Sequence, residues 1–212
     1  MNHTNLKVLG TALTAIGLAI SGFAIWQMVG TENITASNQN RLAEVTPLIV
    51  DVSSEANSNG GLVVGQVFAK LRVPRFGADY VRQIASGTSV DNVLNTVGIG
   101  HYTNTSMPGA VGNFALAGHR SGNGGPMRNI DKLTAGDLAY VETADRIYTY
   151  RFIESAVVAP EDTWVIDSQP KTLEGKTSSV KLLTLTTCTP IYVNTERYIA
   201  WFEQIAEEPS VP

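Results

Sequence analysis

The stretch from Lys181 to Glu203, KLLTLTTCTPIYVNTERYIAWFE, decides how the rest of the chain is read. It opens with an apolar, threonine-rich run ending at Cys188, the only cysteine among 212 residues. A second apolar run opens at Arg197, with eight residues between the thiol and this cation. Both runs have the β-branched and aromatic composition of strands. As adjacent antiparallel strands, they bring Arg197 back to the end of the sheet that carries Cys188.

Working outward, the same signature recurs between turn signals. QVFAKLRV ends at Pro74, YVRQIA at Ser86-Gly87, and GNFALAG just before His119. GDLAYVET and DRIYTYRFIESAVVAP follow, the second with the period-2 pattern IYTYRF. Helical patterning is limited to Ser89–Val97, with Ser89 or Asp91 near its start, and Pro126–Leu133. About 140 residues of short strands with two brief helices imply a mainly β fold, a closed or nearly closed β-barrel over residues 66–207.

The N-terminus has a different composition. From Val8 to Gly30 there is no charged residue in 23 positions, enough to cross a hydrocarbon core of roughly 30 Å. Lys7 precedes the run, Glu32 follows it, and Trp26 sits near its outer end. The positive-inside rule puts residues 1–7 in the cytoplasm and the chain after about residue 31 outside. A cleaved signal peptide is the rival reading, but this apolar run is longer than such segments and TENITASNQN is a poor cleavage site. Residues 8–30 therefore read as a retained single-pass membrane anchor. Residues 31–65 read as a polar extracellular stalk, with a short helix near Arg41–Val45, and residues 208–212 as a tail. Net charge is −4 with no basic block, which gives no reason to expect a nucleic-acid partner.

An exported domain pairs its thiols or avoids them, so one leftover cysteine is a reactive thiol, an intermolecular disulfide or a small buried core residue. A thiol becomes a good nucleophile beside a histidine or a cation. Outside the anchor region the histidines are His101 and His119. His119 follows a strand-like run and Gly118, which allows a sharp turn, so it sits at a strand end as Cys188 does. Arg197 supplies charge and N–H donors where an oxyanion develops. Taken singly, His119 also reads as a structural histidine and Arg197 as a surface cation. His101, in the Gly-rich GIGHYTNT, takes a loop role. One Cys and two His do not make a closed zinc site, and there is no G-x-S-x-G elbow, P-loop or dinucleotide fingerprint.

TLTTC (Thr184–Cys188), FALAGHR (Phe114–Arg120) and Arg197 nine residues after the cysteine together resemble the sortases, the membrane-anchored cysteine transpeptidases of Gram-positive bacteria. The resemblance covers about Gln66 to Ala206. It is most similar to class E, through VGIGHYTNTSMPGAVGNFALAGHR and YRFIESAVVAPEDTWVI. CTPIYVNTER departs toward the pilus-assembling class C, although no class C lid motif and no second apolar segment is found. The resemblance implies a β-barrel of about eight strands. It also implies cleavage of an LAxTG or LPxTG-type sorting signal between Thr and Gly, with Cys188 as nucleophile. His119 would be the acid/base and Arg197 the oxyanion and backbone holder, with Thr187 in the same pocket. Tyr102 falls where class E carries a tyrosine that reads the second signal position; a tyrosine packed on a loop is the plainer reading. The implied partners are sorting-signal-bearing exported proteins and an amine of a lipid-linked peptidoglycan precursor. Glu142, Asp145, Glu154, Glu161 and Asp162 are scattered, so no metal and no cofactor is expected. A pilin polymerase with a lysine acceptor is the alternative, and a non-catalytic surface binding module comes after it.

Overall fold

The alternation in Lys181–Thr189 makes a strand with two different faces. Leu183 and Leu185 enter one apolar core, while Leu182 joins another on the opposite side. The computed structural model describes residues 3–45, 61–176 and 180–210. In chain order its strands are β1 (Val67–Arg72), β2 (Val81–Ser86), β3 (Ile99–His101), β4 (Gly112–Gly118), β5 (Leu138–Glu142), β6 (Arg146–Val158), β7 (Lys181–Thr189) and β8 (Glu196–Pro209). They close into a barrel in the order β1-β2-β3-β4-β7-β8-β6-β5. The closed, mainly β barrel of about eight strands is therefore as expected.

Two pairings in the barrel are parallel, β2 with β3 and β4 with β7; the others are antiparallel. The parallel β4–β7 pair matters most for function. Strands running the same way end at the same rim, so the residues after β4 and those closing β7 lie together. β8 returns antiparallel from that rim, so its first residues lie there too.

The barrel interior is filled by Phe68, Leu71, Ile84, Phe114, Leu116, Leu183, Leu185 and Phe202, all at most 1% exposed. A second cluster lies outside the wall, where Leu182, Ile199 and Trp201 are covered by Val165 and Leu173 of the β6–β7 connection. Trp201 anchors that cover: its Nε1 donates to Val165 O at 3.0 Å, and its ring stacks on Trp164 at 6.1 Å.

Four local expectations are corrected. β3 was not anticipated, because three residues with a central glycine give no periodic signal; His101 is a buried strand residue, not a loop one. The Ser89–Val97 helix is one π-helical turn, Val90–Leu94, with the Ser89 side chain accepting from Asn92 N. The Pro126–Leu133 helix is a single 3-10 turn, Ile130–Lys132. The short helix at Arg41–Val45 is instead the end of one continuous helix, α1 (His3–Val45), long and apolar enough to cross a membrane.

Past the apolar run, α1 lies on the barrel at β2. Gln39 and Ala43 are buried, and Asn40 Oδ1 accepts from Val81 N at 3.2 Å and from the Arg82 guanidinium. Ala36, Gln39, Asn40 and Ala43 have the i, i+3, i+4, i+7 spacing of one helical face. That face is built from small and amide residues, which is why it reads as a linker in a hydropathy scan.

Candidate active site

Cys188 is the second-last residue of β7 and Arg197 the second of β8. They are direct cross-strand partners, with Thr187 opposite Tyr198 and Thr189 opposite Glu196 on either side. Side chains alternate across a sheet, so Cys188 shares a face with Thr186 and Thr184, and Arg197 with Ile199 and Trp201. This is the outer face of the barrel wall. The Cys188 thiol is unpaired and partly exposed.

His119 reaches the same face from β4. The β4–β7 register runs Gly112↔Lys181 through Ala117↔Thr186. The ladder ends at Ala117↔Thr186, and His119 and Cys188 each lie two residues beyond that last pair, at the same rim. Thr187 Oγ1 donates to Gly118 O at 2.7 Å, a direct tie between these two strand ends. The three candidates, distant in sequence, thus meet on one rim and one face. Between them the floor is small: Ala115 and Ala117 of β4 are at most 8% exposed.

The other two candidates differ from each other. Tyr102 Oη is 3.1 Å from Thr186 Oγ1. The one Thr186 hydroxyl proton goes to Leu116 O at 3.1 Å, so the tyrosine hydroxyl is the donor and keeps its acceptor side open. Tyr102 is therefore held at Thr186, two residues along β7 from Cys188. Thr187 is 3% exposed, on the face opposite Cys188, with its hydroxyl committed to Gly118 O. Its surroundings are those of a strand tie, not of a group presented to a ligand.

The electrostatics separate the two histidines. His101 is fully buried between Phe68 and Phe114, and burial pushes its pKa down to about 4 against the opposing pull of the Ser106 carbonyl. Its Nε2 lies 3.1 Å from both Ser106 O and Thr105 Oγ1, and the Thr105 proton is given to Tyr102 O at 2.7 Å. Nε2 must therefore carry the hydrogen, and His101 is a neutral structural residue. His119 is only half-buried, and burial lowers its pKa from the ordinary histidine value. The Arg197 guanidinium donates to Glu196 O at 2.9 Å and Asn194 O at 3.3 Å, carbonyls that a ligand's backbone can replace.

Two contributors escaped sequence reasoning. Asn95 Oδ1 lies 2.9 Å from His119 Nε2. Arg120, 6% exposed, donates from Nη1 to Thr189 Oγ1 at 2.6 Å and pairs through Nη2 with Asp131 at 2.9 Å. It joins the residue after His119 to the residue after Cys188. The only sequence signal for it was its place directly after the histidine. A cavity of about 360 Å³ opens near Asn113 and Asp167, at the opposite end of β4 from His119, and no catalytic candidate lines it. Among the described residues, no three His, Cys, Asp or Glu side chains converge as metal ligands.

The arrangement can carry out acyl transfer: a thiol, a proton carrier and a cation stand at adjoining strand ends on one rim of the barrel. Comparison with known proteins agrees. The Sortase domain family model matches residues 71–205. Sortase SrtE1 of Streptomyces coelicolor is 35% identical over 96% of this chain, which spans 58% of that protein's length. Sortase SrtE2 of the same organism is 31% identical over 96% of this chain and 83% of its own. The solved structure of Sortase E1 from Streptomyces coelicolor, with a tripeptide in the active site, superposes with a TM-score of 0.64 at 40% identity. It covers 68% of this chain and 91% of the other.

Proposed function

This chain belongs to the sortase family, and from that premise we propose that it is a membrane-anchored class E housekeeping transpeptidase. It cleaves an LAxTG or LPxTG-type sorting signal between Thr and Gly. It then transfers the exported protein to an amine of a lipid-linked cell-wall precursor. The observation that carries this reading is the Cys188–Arg197 register with His119 at the adjoining strand end.

The Cys188 thiol gives its proton to His119, which becomes imidazolium, and Sγ attacks the threonine carbonyl carbon. The carbonyl oxygen takes the negative charge and is met by the Arg197 guanidinium, released from the Glu196 and Asn194 carbonyls as substrate backbone binds. The imidazolium of His119 gives its proton to the glycine nitrogen as the C–N bond breaks. The glycine-led fragment leaves as an amine, and the threonine acyl group stays on sulfur as a thioester. The incoming amine attacks this thioester, His119 takes up its proton, a new amide forms and the Cys188 sulfur is released. Lowered basicity suits the leaving step, because a weakly held proton is readily given to the glycine nitrogen. Tyr102 is held at Thr186, where its open acceptor side meets the signal upstream of the threonine. Thr187 supports the site by tying β4 to β7.

The apolar part of α1 holds the enzyme in the membrane, with residues 1–7 cytoplasmic and the barrel outside. The two relatives Sortase SrtE1 and Sortase SrtE2 support the class E reading over a pilin polymerase with a lysine acceptor. The test is cleavage of quenched-fluorescent LAxTG and LPxTG peptides, with and without an added amine. Wild type is expected to cleave and to transfer, Cys188→Ala to do neither. Cleavage retained in Cys188→Ala contradicts the assignment.

A further inference from the structure

Behind His119 lies a set of polar contacts that the acyl-transfer steps do not use. Asn95 caps the end of the Val90–Leu94 turn, and its Oδ1 faces two donors: His119 Nε2 at 2.9 Å and Asn123 Nδ2 at 2.8 Å. An amide oxygen only accepts, so the imidazole carries its hydrogen on Nε2. Nδ1 is then the ring nitrogen left to gain and lose a proton on the side away from Asn95.

Asn123 belongs to the loop Ser121–Gly125, and this loop is gripped by α1. Glu32 Oε1 accepts from Gly122 N at 2.6 Å, and its other oxygen pairs with Arg128. Gln39 Nε2 donates to Asn123 O at 3.3 Å. At Gly124 φ is +79°, and a Cβ there would lie 3.0 Å from Ala36 N, so only glycine lets the helix come this close. An unbroken series of contacts therefore runs from the anchor helix, through one loop and one amide, to the imidazole.

From this series the structure assigns Asn95 as a positioning residue for His119, with the Glu32–Gln39 part of α1 setting that position through the Ser121–Gly125 loop. The assignment rests on His119 being the acid/base. The anchor helix is then part of the working enzyme as well as its tether. On the strands beside β4, the titratable and charged groups at this rim are Cys188 of β7 and, one strand further, Arg197 of β8. Arg120 is turned to Thr189 and Asp131, and Glu32 and Arg128 face each other across the loop.

The test uses the full chain in detergent micelles. NMR of the His119 ring nitrogens should show the Nε2–H tautomer in wild type and its loss in Asn95→Ala. In Asn95→Asp a carboxylate accepts the same hydrogen and favours imidazolium, so the His119 titration midpoint should rise. Asn95→Ala should lower kcat on a sorting-signal peptide by about tenfold or more, with KM little changed. Glu32→Ala should lower kcat in the same sense, and the double variant should be no slower than Asn95→Ala alone. Unfolding temperatures accompany each variant, and Asn95→Asp carries the test should Asn95→Ala not fold. An unchanged tautomer and kcat in Asn95→Ala, or an unmoved midpoint in Asn95→Asp, overturns the role of Asn95. Multiplying effects of Glu32→Ala and Asn95→Ala, or no effect of Glu32→Ala, overturn the link to the helix. A wild type that cleaves no peptide overturns the functional reading instead, while the NMR result still decides the positioning.

Discussion

Replacing Arg120 by methionine should weaken the barrel and slow the chemistry together. The guanidinium is 6% exposed and makes three contacts. Its hydrogen bond to Thr189 Oγ1, at 2.6 Å and buried, is of the charged kind that contributes about 1.5–3 kcal/mol. Its ion pair with Asp131, whose side chain is 49% exposed, is screened and adds only about 0–1 kcal/mol. Its guanidinium carbon lies 5.4 Å from the Tyr198 ring centroid, which adds about 0.5–1 kcal/mol. Against these stands the cost of burying a cation whose Nε has no partner among the described residues, a cost that methionine removes while filling much of the volume. The net expectation is a loss of about 2 kcal/mol. For a domain of this size that is a fall in Tm of about 4–8 °C. Trp201 in β8 and Trp164 in the β6–β7 connection stacked on it report the transition by fluorescence. Because Thr189 follows Cys188, kcat on a sorting-signal peptide should fall by about tenfold, as small displacements of a nucleophile do. Arg120→Lys, able to reach one partner, should lose less on both counts. A Tm within about 1 °C of wild type with unchanged kcat refutes the view that Arg120 joins the two catalytic strand ends.

Other perturbations reach other parts of the structure. His101 is neutral in the fold, with its pKa near 4, and an unfolded histidine titrates near 6.5, so its contribution is whole above pH 6.5. That contribution is lost as pH falls from 6.5 toward 4, by about 3 kcal/mol; His101→Gln should flatten this part of a urea-midpoint profile, and an unchanged slope contradicts the assignment. Tyr102→Phe removes the donor to Thr186 Oγ1, worth about 0.5–1.5 kcal/mol. It should also change the ratio of LAxTG to LPxTG cleavage; a constant ratio means that Tyr102 does not read the signal. Trp201→Phe deletes the bond to Val165 O and leaves a buried carbonyl unpaired, at about 1–3 kcal/mol. Proteolysis of the segment around Val165 and Leu173 should then accelerate, and an unchanged cleavage rate shows that Trp201 does not hold the cover.

Most of the barrel was legible because its strands follow simple physics. Runs such as IYTYRF alternate, and each ends at a proline, glycine or polar turn. The meeting of Cys188 and Arg197 was legible too, since two strands joined by a short connection leave few registers. β3 was hidden because Ile99–His101 is too short for any period, and with it the burial of His101. The docked part of α1 was hidden because Ala36, Gln39, Asn40 and Ala43 meet the barrel through close approach and amide hydrogen bonds, neither of which has a hydropathy signature. Asn95 and Arg120 lie outside every alternating run. Their partners, His119 and Thr189, are 24 and 69 residues away in sequence, so the contact of Asn95 exists only once β3 and β4 are paired, and that of Arg120 only once β4 and β7 are side by side.

Acylation of Cys188 by a sorting signal is the step on which the proposed function stands. Intact-mass analysis of the full chain, mixed with an LAxTG or LPxTG peptide and quenched in acid, measures this directly. The expected result is a mass increase equal to the peptide acyl group up to threonine, mapped to Cys188, absent in Cys188→Ala and discharged by an added amine. An unmodified chain with both peptides, or an adduct on any residue other than Cys188, contradicts it.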